Sequence, residues 1–265
     1  MKRALTLAVL AALAALASAC IFPLNWPGSD EANSRGEIFY RVVALEPGGT
    51  IQLDNVMGDI EVRGWDRSEV EISVEEDQDV PFRGRIWLSG RRPSVPPVEV
   101  ESAGQVVKIR AKVPERESDV RSLHFYINVP RSVNLDAIRG KEGDVTIADL
   151  YGKVRVQIDR GRVQIDNFSG SLDLSVGRGS VEAEVLDVRS DDTVAISVAE
   201  GDIALLLAED AAARLKATAG GAVSSEFDLG RKLPAKSGEG RIGGDPAASI
   251  DLSAPRGSIR LRKSK

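Results

Sequence analysis

The chain has very little cysteine, histidine and aromatic residue. Cys20 and His124 are the single examples of their types among 265 residues, and Phe, Trp and Tyr together make up 5%. One cysteine cannot form a disulfide framework, and one cysteine with one histidine cannot form a Cys/His zinc site. The same scarcity excludes a Cys-His nucleophile pair elsewhere in the chain, and a Ser-His-Asp triad could use only His124.

The chain also lacks an excess of positive charge. Lys and Arg number 35 against 40 Asp and Glu, which gives a formal net charge of −5 at pH 7. Because nucleic-acid binding relies on clustered positive charge, we expect no nucleic-acid partner. Hydrophobic residues reach 42%, which is too many for a disordered chain and enough to fill a core. The 25 glycines favour many tight turns over packed helices.

No uninterrupted apolar run of about 18 residues occurs after the N-terminal region. That region has Lys2 and Arg3, an apolar run over 5–16, and the small residues 17–19. This order is typical of an export signal, so we predict a signal peptide over 1–19. Cys20 follows directly and resembles the lipidated residue of a bacterial lipoprotein. Plain secretion is the alternative, because the small residues also suit an ordinary signal peptidase.

The segment that follows predicts a membrane tether. Residues 21–35 are rich in Pro, Gly, Ser and Asn without any periodicity, as expected of a linker. We therefore predict a lipidated Cys20 and tether over 20–35, and a folded domain over 36–265. By resemblance to lipoprotein sorting, Ile21 after the cysteine favours an outer membrane.

A repeat of nine residues dominates the middle of the sequence. Glycine begins five consecutive units, and the third and fifth positions of each unit are apolar with a polar residue between them. The glycines stand at 143, 152, 161, 170 and 179. Alternation with a period of two indicates strands with one buried face. We expect positions three and five to be buried, Val163 and Leu172 included, and position four, such as Gln164, to be exposed.

Two units make a circuit of eighteen residues, which favours a β-solenoid. In such a fold each strand pairs with its equivalent one circuit away, and the inward side chains form a continuous core. Stacking at this period places Arg155 beside Asp173. An antiparallel meander would show the same alternation and stays open. We predict an all-β fold, a β-solenoid of the single-stranded, right-handed β-helix type.

Strands are also expected outside the central repeat. They are predicted at 36–44, 50–53, 58–62, 70–74, 96–101, 105–113, 122–129, 133–138, 201–205, 248–252 and 257–261. Residues 77–97 are rich in Pro and Arg and predict a long surface excursion. Residues 205–219 have high helix propensity, yet we favour a strand to Leu207, a turn over 208–213 and a strand from Arg214, with a three-turn helix as the alternative.

Three segments resemble a known family. They are GGTIQLDNVMGDIEVRGWDRSEVEISVEE near the start, SLHFYINVPRSVNLDAIRGKEGDVTI in the middle, and GRIGGDPAASIDLSAPRGSIRLRK at the end. Together they resemble the bacterial putative-adhesin family, a domain of unknown function in exported and membrane-tethered proteins. The resemblance spans about 36–263 and implies a β-solenoid. The turns 159–162 and 177–180 carry basic residues where the family has Asn-Gly-Asp.

The candidate chemistry is weak. Residues 238–243 match G-x-G-x-x-G, but no strand precedes them and no helix follows, so we expect a flexible turn. His124 is expected to be a surface or partly buried residue. The acidic run of Glu75, Glu76, Asp77 and Asp79 is expected to be a solvated strand end, with a weak cation site as the alternative. We predict no catalytic residue, cofactor or metal.

These observations favour a non-enzymatic cell-envelope protein, a scaffold or adhesion module that binds through a polar solenoid face. The expected partner is an envelope protein or a surface polysaccharide, and the expected surface carries Arg155, Arg160, Arg162 and Arg178. The alternative is a carbohydrate-active β-helix enzyme, a polysaccharide hydrolase or lyase. We also expect the basic terminal strand, 258–262, to lie at one end of the solenoid and to discourage growth there.

Overall fold

The computed structural model describes residues 35–77, 98–112, 122–189, 191–229, 237–244 and 248–264. The predicted signal peptide, Cys20, the tether up to residue 34 and nearly all of the Pro- and Arg-rich excursion lie outside these residues. Within them the chain forms strands and turns, and no helix occurs.

Sixteen strands make up the described part of the chain. They are β1 (Arg35–Ala44), β2 (Thr50–Asp54), β3 (Ile60–Trp65), β4 (Glu69–Asp77), β5 (Val98–Ala103), β6 (Val106–Ala111), β7 (Leu123–Pro130), β8 (Asn134–Glu142), β9 (Val145–Asp187), β10 (Thr193–Glu200), β11 (Ile203–Leu207), β12 (Ala213–Ala219), β13 (Val223–Ser225), β14 (Ser237–Ile242), β15 (Ala248–Ala254) and β16 (Ile259–Lys263).

The strands form two faces that share one core. The first face follows the order β1-β4-β7-β3-β9-β11-β16-β13, and the second face follows β5-β6-β2-β8-β9-β10-β15-β12-β14. The long strand β9 winds through both faces. Its pairings with β3, β8, β10 and β11 are all parallel, so the all-β solenoid is confirmed and the meander is wrong for the centre.

Each coil consists of one strand of the second face followed by one strand of the first. In the centre, residues 18 apart come together: Arg155 Nε lies 3.2 Å from Asp173 Oδ2. Further along, β10 pairs with β9 at a separation of 22, so Arg178 lies beside Glu200. The longer connection between β9 and β10 accounts for the four additional residues.

The predicted inward positions of the repeat are confirmed, and the predicted outward positions are confirmed in part. Positions three and five of all five units are buried, with Val163 at 0% and Leu172 at 1% exposure. Gln164, between two buried residues, is only half-buried, and Arg155 and Asp173 are exposed. The side chains from both faces meet in one hydrophobic core that runs along the solenoid.

Glycine is required where each coil passes from the second face to the first, because successive coils touch there. At Gly161 the backbone has φ +146°, and an added Cβ would lie 1.9 Å from the carbonyl oxygen of Gly143. The same contact is repeated along a glycine column made of Gly58, Gly143, Gly161, Gly179, Gly201 and Gly257. No side chain fits in this space, so the glycine period reflects the stacking of the backbone.

The order of coils in space differs from their order in the sequence at both ends. Strand β2 pairs with both β6 and β8, and β3 with both β7 and β9, so the coil β2–β3 lies inside the coil β6–β7. Similarly, β15 lies between β10 and β12, and β16 lies between β11 and β13. The prediction that the basic terminal strand lies at one end is therefore wrong, because parallel strands flank it on both sides.

Antiparallel strands occupy the ends instead, except that β13, the last strand of the first face, pairs in parallel with β16. The pairs β1–β4, β4–β7, β5–β6 and β12–β14 are antiparallel. Their outer edges carry charged side chains such as Glu99, Glu101 and Arg241, which are exposed. Charged residues on an edge strand discourage pairing with another chain.

Two further local predictions have clear outcomes. Strands β11 and β12 enclose a turn over 208–212, so the strand-turn-strand interpretation of 205–219 is confirmed and the helix is not observed. The G-x-G-x-x-G segment is not a flexible turn as expected. It lies largely in the strand β14, whose residues Ser237–Ile242 all pair with β12. Gly240 leaves room for the side chain of Leu229.

Candidate functional site

A column of charged side chains precedes the glycine column. It consists of Glu142, Arg160, Arg178, Glu200 and Arg256, each directly before a glycine of the glycine column. Register pairs Arg160 with Glu142, and Arg178 with Glu200. Arg256 joins them because its carbonyl accepts a hydrogen bond from the Gly201 amide at 3.2 Å. The stacking of the backbone thus brings residues from distant parts of the sequence to one corner.

The corner contains a groove of about 500 Å³. Its rim is formed by Arg160, Arg178, Glu200 and Arg256, and its remaining lining comes from Asp159, Gly177, Ala199 and Pro255. We call this the arginine groove. Gly177 allows the two coils to stack closely at the groove, because a Cβ at that position would lie 2.6 Å from the carbonyl oxygen of Asp159.

Glu200 joins two of the arginines. Its Oε2 accepts a hydrogen bond from Arg178 Nε at 2.8 Å, and its Oε1 accepts one from Arg256 Nη1. The Arg178 hydrogen bond and charge, followed by those of Arg256, hold the pKa of the Glu200 carboxyl below its ordinary value. Glu200 is therefore ionised at neutral pH and serves as a shared counter-ion.

Arg160 differs from the other two arginines of the groove. It is exposed, and no carboxylate of the described residues forms an ion pair with it. Three arginines and two carboxylates, Asp159 and Glu200, give the arginine groove an excess of one positive charge. In a chain of net charge −5, this groove is therefore a local concentration of positive charge.

The structure brings together two of the four arginines predicted for a partner surface. Arg160 and Arg178 line the arginine groove. Arg155 lies on the second face instead, where it bonds Asp136 Oδ1 at 2.8 Å and Asp173 Oδ2 at 3.2 Å. Arg162 is exposed beyond the glycine column, and its amide donates to Asp144 Oδ1.

Sequence reasoning missed Glu200 and Arg256. A usable signal was present, because Arg256 precedes Gly257 just as Arg160 and Arg178 precede their own glycines. The separation of 56 residues between Glu200 and Arg256 hides the contact from a search for a fixed period.

The aspartates that follow the coil glycines are structural. Asp59 Oδ1 accepts from the Asp144 amide at 2.9 Å, and Asp144 Oδ1 accepts from the Arg162 amide at 2.7 Å. Asp202 Oδ1 does the same for the Ser258 amide at 2.7 Å. Each carboxylate is thus used to tie one coil to the next, which leaves it poorly suited to bind a metal.

His124 is buried, and the expectation of a surface or partly buried residue is wrong. It is 4% exposed, its Nε2 lies 2.9 Å from Asp77 Oδ2, and its Nδ1 lies 3.2 Å from Asp59 Oδ2. The side chain is covered because β7 lies between β4 and β3. Asp77 of the predicted acidic run is therefore a partner of His124, and Asp79 lies outside the described residues.

The arginine groove is suited to holding an anion and poorly suited to hydrolysis. Glycoside hydrolysis needs a carboxylic acid that keeps its proton near neutral pH. Glu200 has the opposite shift, toward a lower pKa. Among the described residues, no group of three His, Cys, Asp or Glu is arranged to hold a metal ion.

In the described part of the chain, no helix has the length and apolarity that crossing a membrane requires.

Comparison with known proteins shows the family. The family model described as Toastrack DUF4097 matches residues 102–262, which is more than half of the chain. No protein with a curated description matches the sequence.

Several solved structures are similar to this chain at low identity. A putative cell adhesion protein from Clostridium sporogenes has 13% identity and a TM-score of 0.45, with 86% of this chain and 100% of that chain covered. A putative adhesin from Bacteroides fragilis has 12% identity and a TM-score of 0.30, with coverage of 84% and 96%. A putative lipid binding protein from Parabacteroides distasonis has 13% identity and a TM-score of 0.23, with coverage of 88% and 98%.

Proposed function

This chain belongs to the Toastrack DUF4097 family, and on that premise we propose that it is a non-enzymatic binding protein of the cell envelope. The observation that carries the proposal is the charged column at the arginine groove. Arg160 and Arg178 are exposed on neighbouring coils, and Arg256 is exposed on the far side of the coil that carries Glu200, so that a partner with several negative groups can contact them together. We also propose that the coil is right-handed and that its basic repeat is eighteen residues. This repeat would bring one charged residue of each coil to the column and so set the spacing between the arginines.

The chemistry of the groove supports binding without turnover. Arginine is the side chain best suited to planar carboxylate, sulfate and phosphate groups, because its guanidinium presents donors in a fixed fork. Glu200 lies between two arginines, whose hydrogen bonds and charges lower the pKa of its carboxyl, rather than in an apolar pocket that would retain a proton. A binding role fits these contacts better than the hydrolase or lyase alternative.

A charge-reversal experiment tests the role of the groove. In an Arg160→Glu/Arg178→Glu variant, we expect retention by an envelope preparation from the source cells to fall by at least about tenfold, because two charge-assisted contacts become repulsive. The matched control is Arg214→Glu/Arg241→Glu, which reverses two exposed, register-paired arginines on β12 and β14. Sedimentation with the envelope fragments measures the retention.

The outcomes separate the two functions. Equal retention of both variants and wild type would overturn the binding role of the groove. Release of reducing ends or unsaturated sugars from the envelope polysaccharide would favour the enzyme instead. Adding Arg155→Glu and Arg162→Glu to the groove variant shows whether the wider predicted surface also contributes.

The location of the protein is part of the same proposal. Lipidation of Cys20 would hold the binding domain at a membrane, with the following residues as a tether. A Cys20→Ser variant should then move from the membrane fraction to the soluble fraction, because one acylated residue is the anchor proposed. A wild-type protein that is already soluble, with an unmodified N-terminus, would favour plain secretion.

A further inference from the structure

We infer that the arginine groove binds a carboxylate of an acidic polysaccharide, and that Glu200 occupies the place of that carboxylate in the free protein. The inference rests on the proposed binding function and gives it a ligand class. It also assigns Glu200 a role as an internal competitor, which a simple basic surface would not contain.

The contacts of Glu200 are those that a bound carboxylate would make. Each of its two oxygens accepts from a different arginine, Arg178 and Arg256. This bridging geometry satisfies a planar anion at both oxygens. A carboxylate from outside the chain can replace it without any rearrangement of the two arginines.

Glu200 can leave this position at low cost. Its side chain is 35% exposed, and those of Arg178 and Arg256 are 62% and 74% exposed. Ion pairs between exposed groups contribute little to stability because water screens them. Replacing the Glu200 carboxylate by a carboxylate of the ligand therefore changes the free energy little. A second contact of the ligand then decides whether it binds.

Arg160 supplies that second contact. It lies on the same rim as Arg178, and it has no ion-pair partner among the described residues. Parallel coils are spaced about 4.8 Å apart, and the coil of Arg178 lies between those of Arg160 and Glu200, so Arg160 is about 10 Å from the position of Glu200 along the column. An acidic polymer can then place one carboxylate at Arg178 and Arg256 and another, further along its chain, near Arg160.

The shape of the groove favours a sugar over other anions. A volume of about 500 Å³ lies within the range of pockets that hold small ligands. Gly177 and Ala199 leave space beside the arginines for a ring, and Pro255 offers an apolar surface on which a ring can pack. The lining has no long apolar side chain to hold an acyl chain.

The test uses a variant that removes the competitor. In Glu200→Gln the shape is kept and the charge is lost, so both arginines become available to the ligand. We expect the exported form of the chain to bind polygalacturonate about two- to fivefold more tightly after this change. Glu209→Gln is the matched control, since Glu209 is also an exposed carboxylate paired with one cation, Lys263, and does not line the groove.

Binding is measured by titration of fluorescent polygalacturonate, with neutral dextran as a second probe. Tighter binding in Glu200→Gln, unchanged binding in Glu209→Gln and no binding of dextran support the inference. An unchanged or weaker affinity in Glu200→Gln overturns it. The proposed function would still stand in that case if Arg160→Glu/Arg178→Glu loses retention by the envelope preparation.

A third probe distinguishes the polymer from a membrane. Vesicles of phosphatidylglycerol and phosphatidylcholine present phosphate headgroups to the same arginines. Binding of these vesicles that depends on Arg178 and Arg256, without binding of polygalacturonate, would overturn the polysaccharide assignment and make the ligand a lipid headgroup.

Discussion

The central coils and the two ends of this solenoid use the same strand pattern in different ways. In β9 each coil stacks on the one that precedes it in the sequence, as the contact between Gly161 and Gly143 shows. At the ends, coils that are distant in sequence are neighbours, and β16 lies between β11 and β13. Local repetition therefore builds the centre, whereas the ends depend on long-range pairing.

The difference shows that the repeat pattern defines a coil without defining its neighbour. Gly257-Ser258-Ile259 has the same form as Gly201-Asp202-Ile203, so either could follow several other coils. Antiparallel strands at each end then resolve the choice, because they cover surfaces that would otherwise accept another coil. We therefore expect deletion of a coil to affect the unfolding of the two regions differently. A single substitution in the core should lower the free energy of unfolding by a similar amount in both.

The largest expected effect comes from removing the inserted coil. Deletion of residues 248–265 takes β15 and β16 away from between their neighbours, which leaves β10, β11, β12 and β13 each without one hydrogen-bonded partner. We expect the chain to lose its cooperative unfolding transition, because the unpaired backbone groups of these four strands and the core beneath the deleted strands become exposed. Circular dichroism during heating measures this.

A synthetic peptide of residues 248–265 provides the control. Its addition should restore a cooperative transition if the gap can be filled in trans. A deletion variant that unfolds at the wild-type temperature would contradict the interior placement of β16.

A core truncation in the central coils should have the next largest effect. Leu172 is 1% exposed, so Leu172→Ala should lower the free energy of unfolding by about 2–5 kcal/mol. Leu252→Ala in the inserted coil, at 0% exposure, should cost a similar amount at equilibrium. Chemical denaturation at constant pH measures both.

The neighbouring residue is the control for the register. Asp173→Ala removes an exposed partner of Arg155 and should cost no more than about 1 kcal/mol. A larger loss at Asp173 than at Leu172 would mean that the inward and outward positions are exchanged.

The glycine column gives a smaller effect that should be the same in both regions. In Gly161→Ala the new Cβ would lie 1.9 Å from the Gly143 carbonyl oxygen, and in Gly257→Ala it would lie 1.7 Å from that of Gly201. Each variant should lose about 1–3 kcal/mol of stability through backbone strain. Gly140→Ala is the control, since no atom lies within 4 Å of its added Cβ. A loss at Gly140 as large as at Gly161 would contradict the close stacking.

The sequence predicts the centre of the fold because the information there is local. Alternation around Val163 and Leu172 identifies the buried face, and the nine-residue glycine period identifies the coil. The placement of β15 and β16 could not be predicted, because their pairing depends on which edges remain open after the other coils have formed. His124 shows the same limit, since its burial comes from strands β3 and β4, which are distant in sequence.

The candidate site divides in the same way. Arg160 and Arg178 follow from the repeat, because both precede a coil glycine at the central period. Glu200 and Arg256 could not be placed beside them from periodicity, since a separation of 22 residues and then one of 56 replace the period of 18. The Arg-Gly and Glu-Gly dipeptides were the remaining signal in the sequence. They indicate which residues lie at this corner of the coils, but they do not indicate which of these residues are neighbours.

The smallest expected effect concerns the ion pairs that connect the inserted coil to the rest. Glu200 accepts a hydrogen bond from Arg256, which precedes β16 in the sequence. Glu209 accepts one from Lys263, the last residue of β16. Hydrogen bonds from Arg178 and Lys263, respectively, lower the pKa of the two carboxyls from 4.5. A lowered pKa in the folded state means that the unfolded state binds more protons, so these pairs stabilise the fold above about pH 4.5 and lose that effect as the pH falls through the lowered pKa.

A Glu200→Gln/Glu209→Gln variant should therefore show faster amide hydrogen exchange than wild type in β16 at pH 7, with no change in β9. The difference, measured as the ratio of protection factors at each pH, should shrink below pH 4.5 and in high salt, because both carboxylates become protonated in the first case and screened in the second. Asp173→Asn is the control, since its partner Arg155 lies within the central coils and its loss leaves β16 unchanged. A difference between the double variant and wild type that grows as the pH falls would contradict these ion pairs, because a group with a lowered pKa stabilises the fold only while it is ionised.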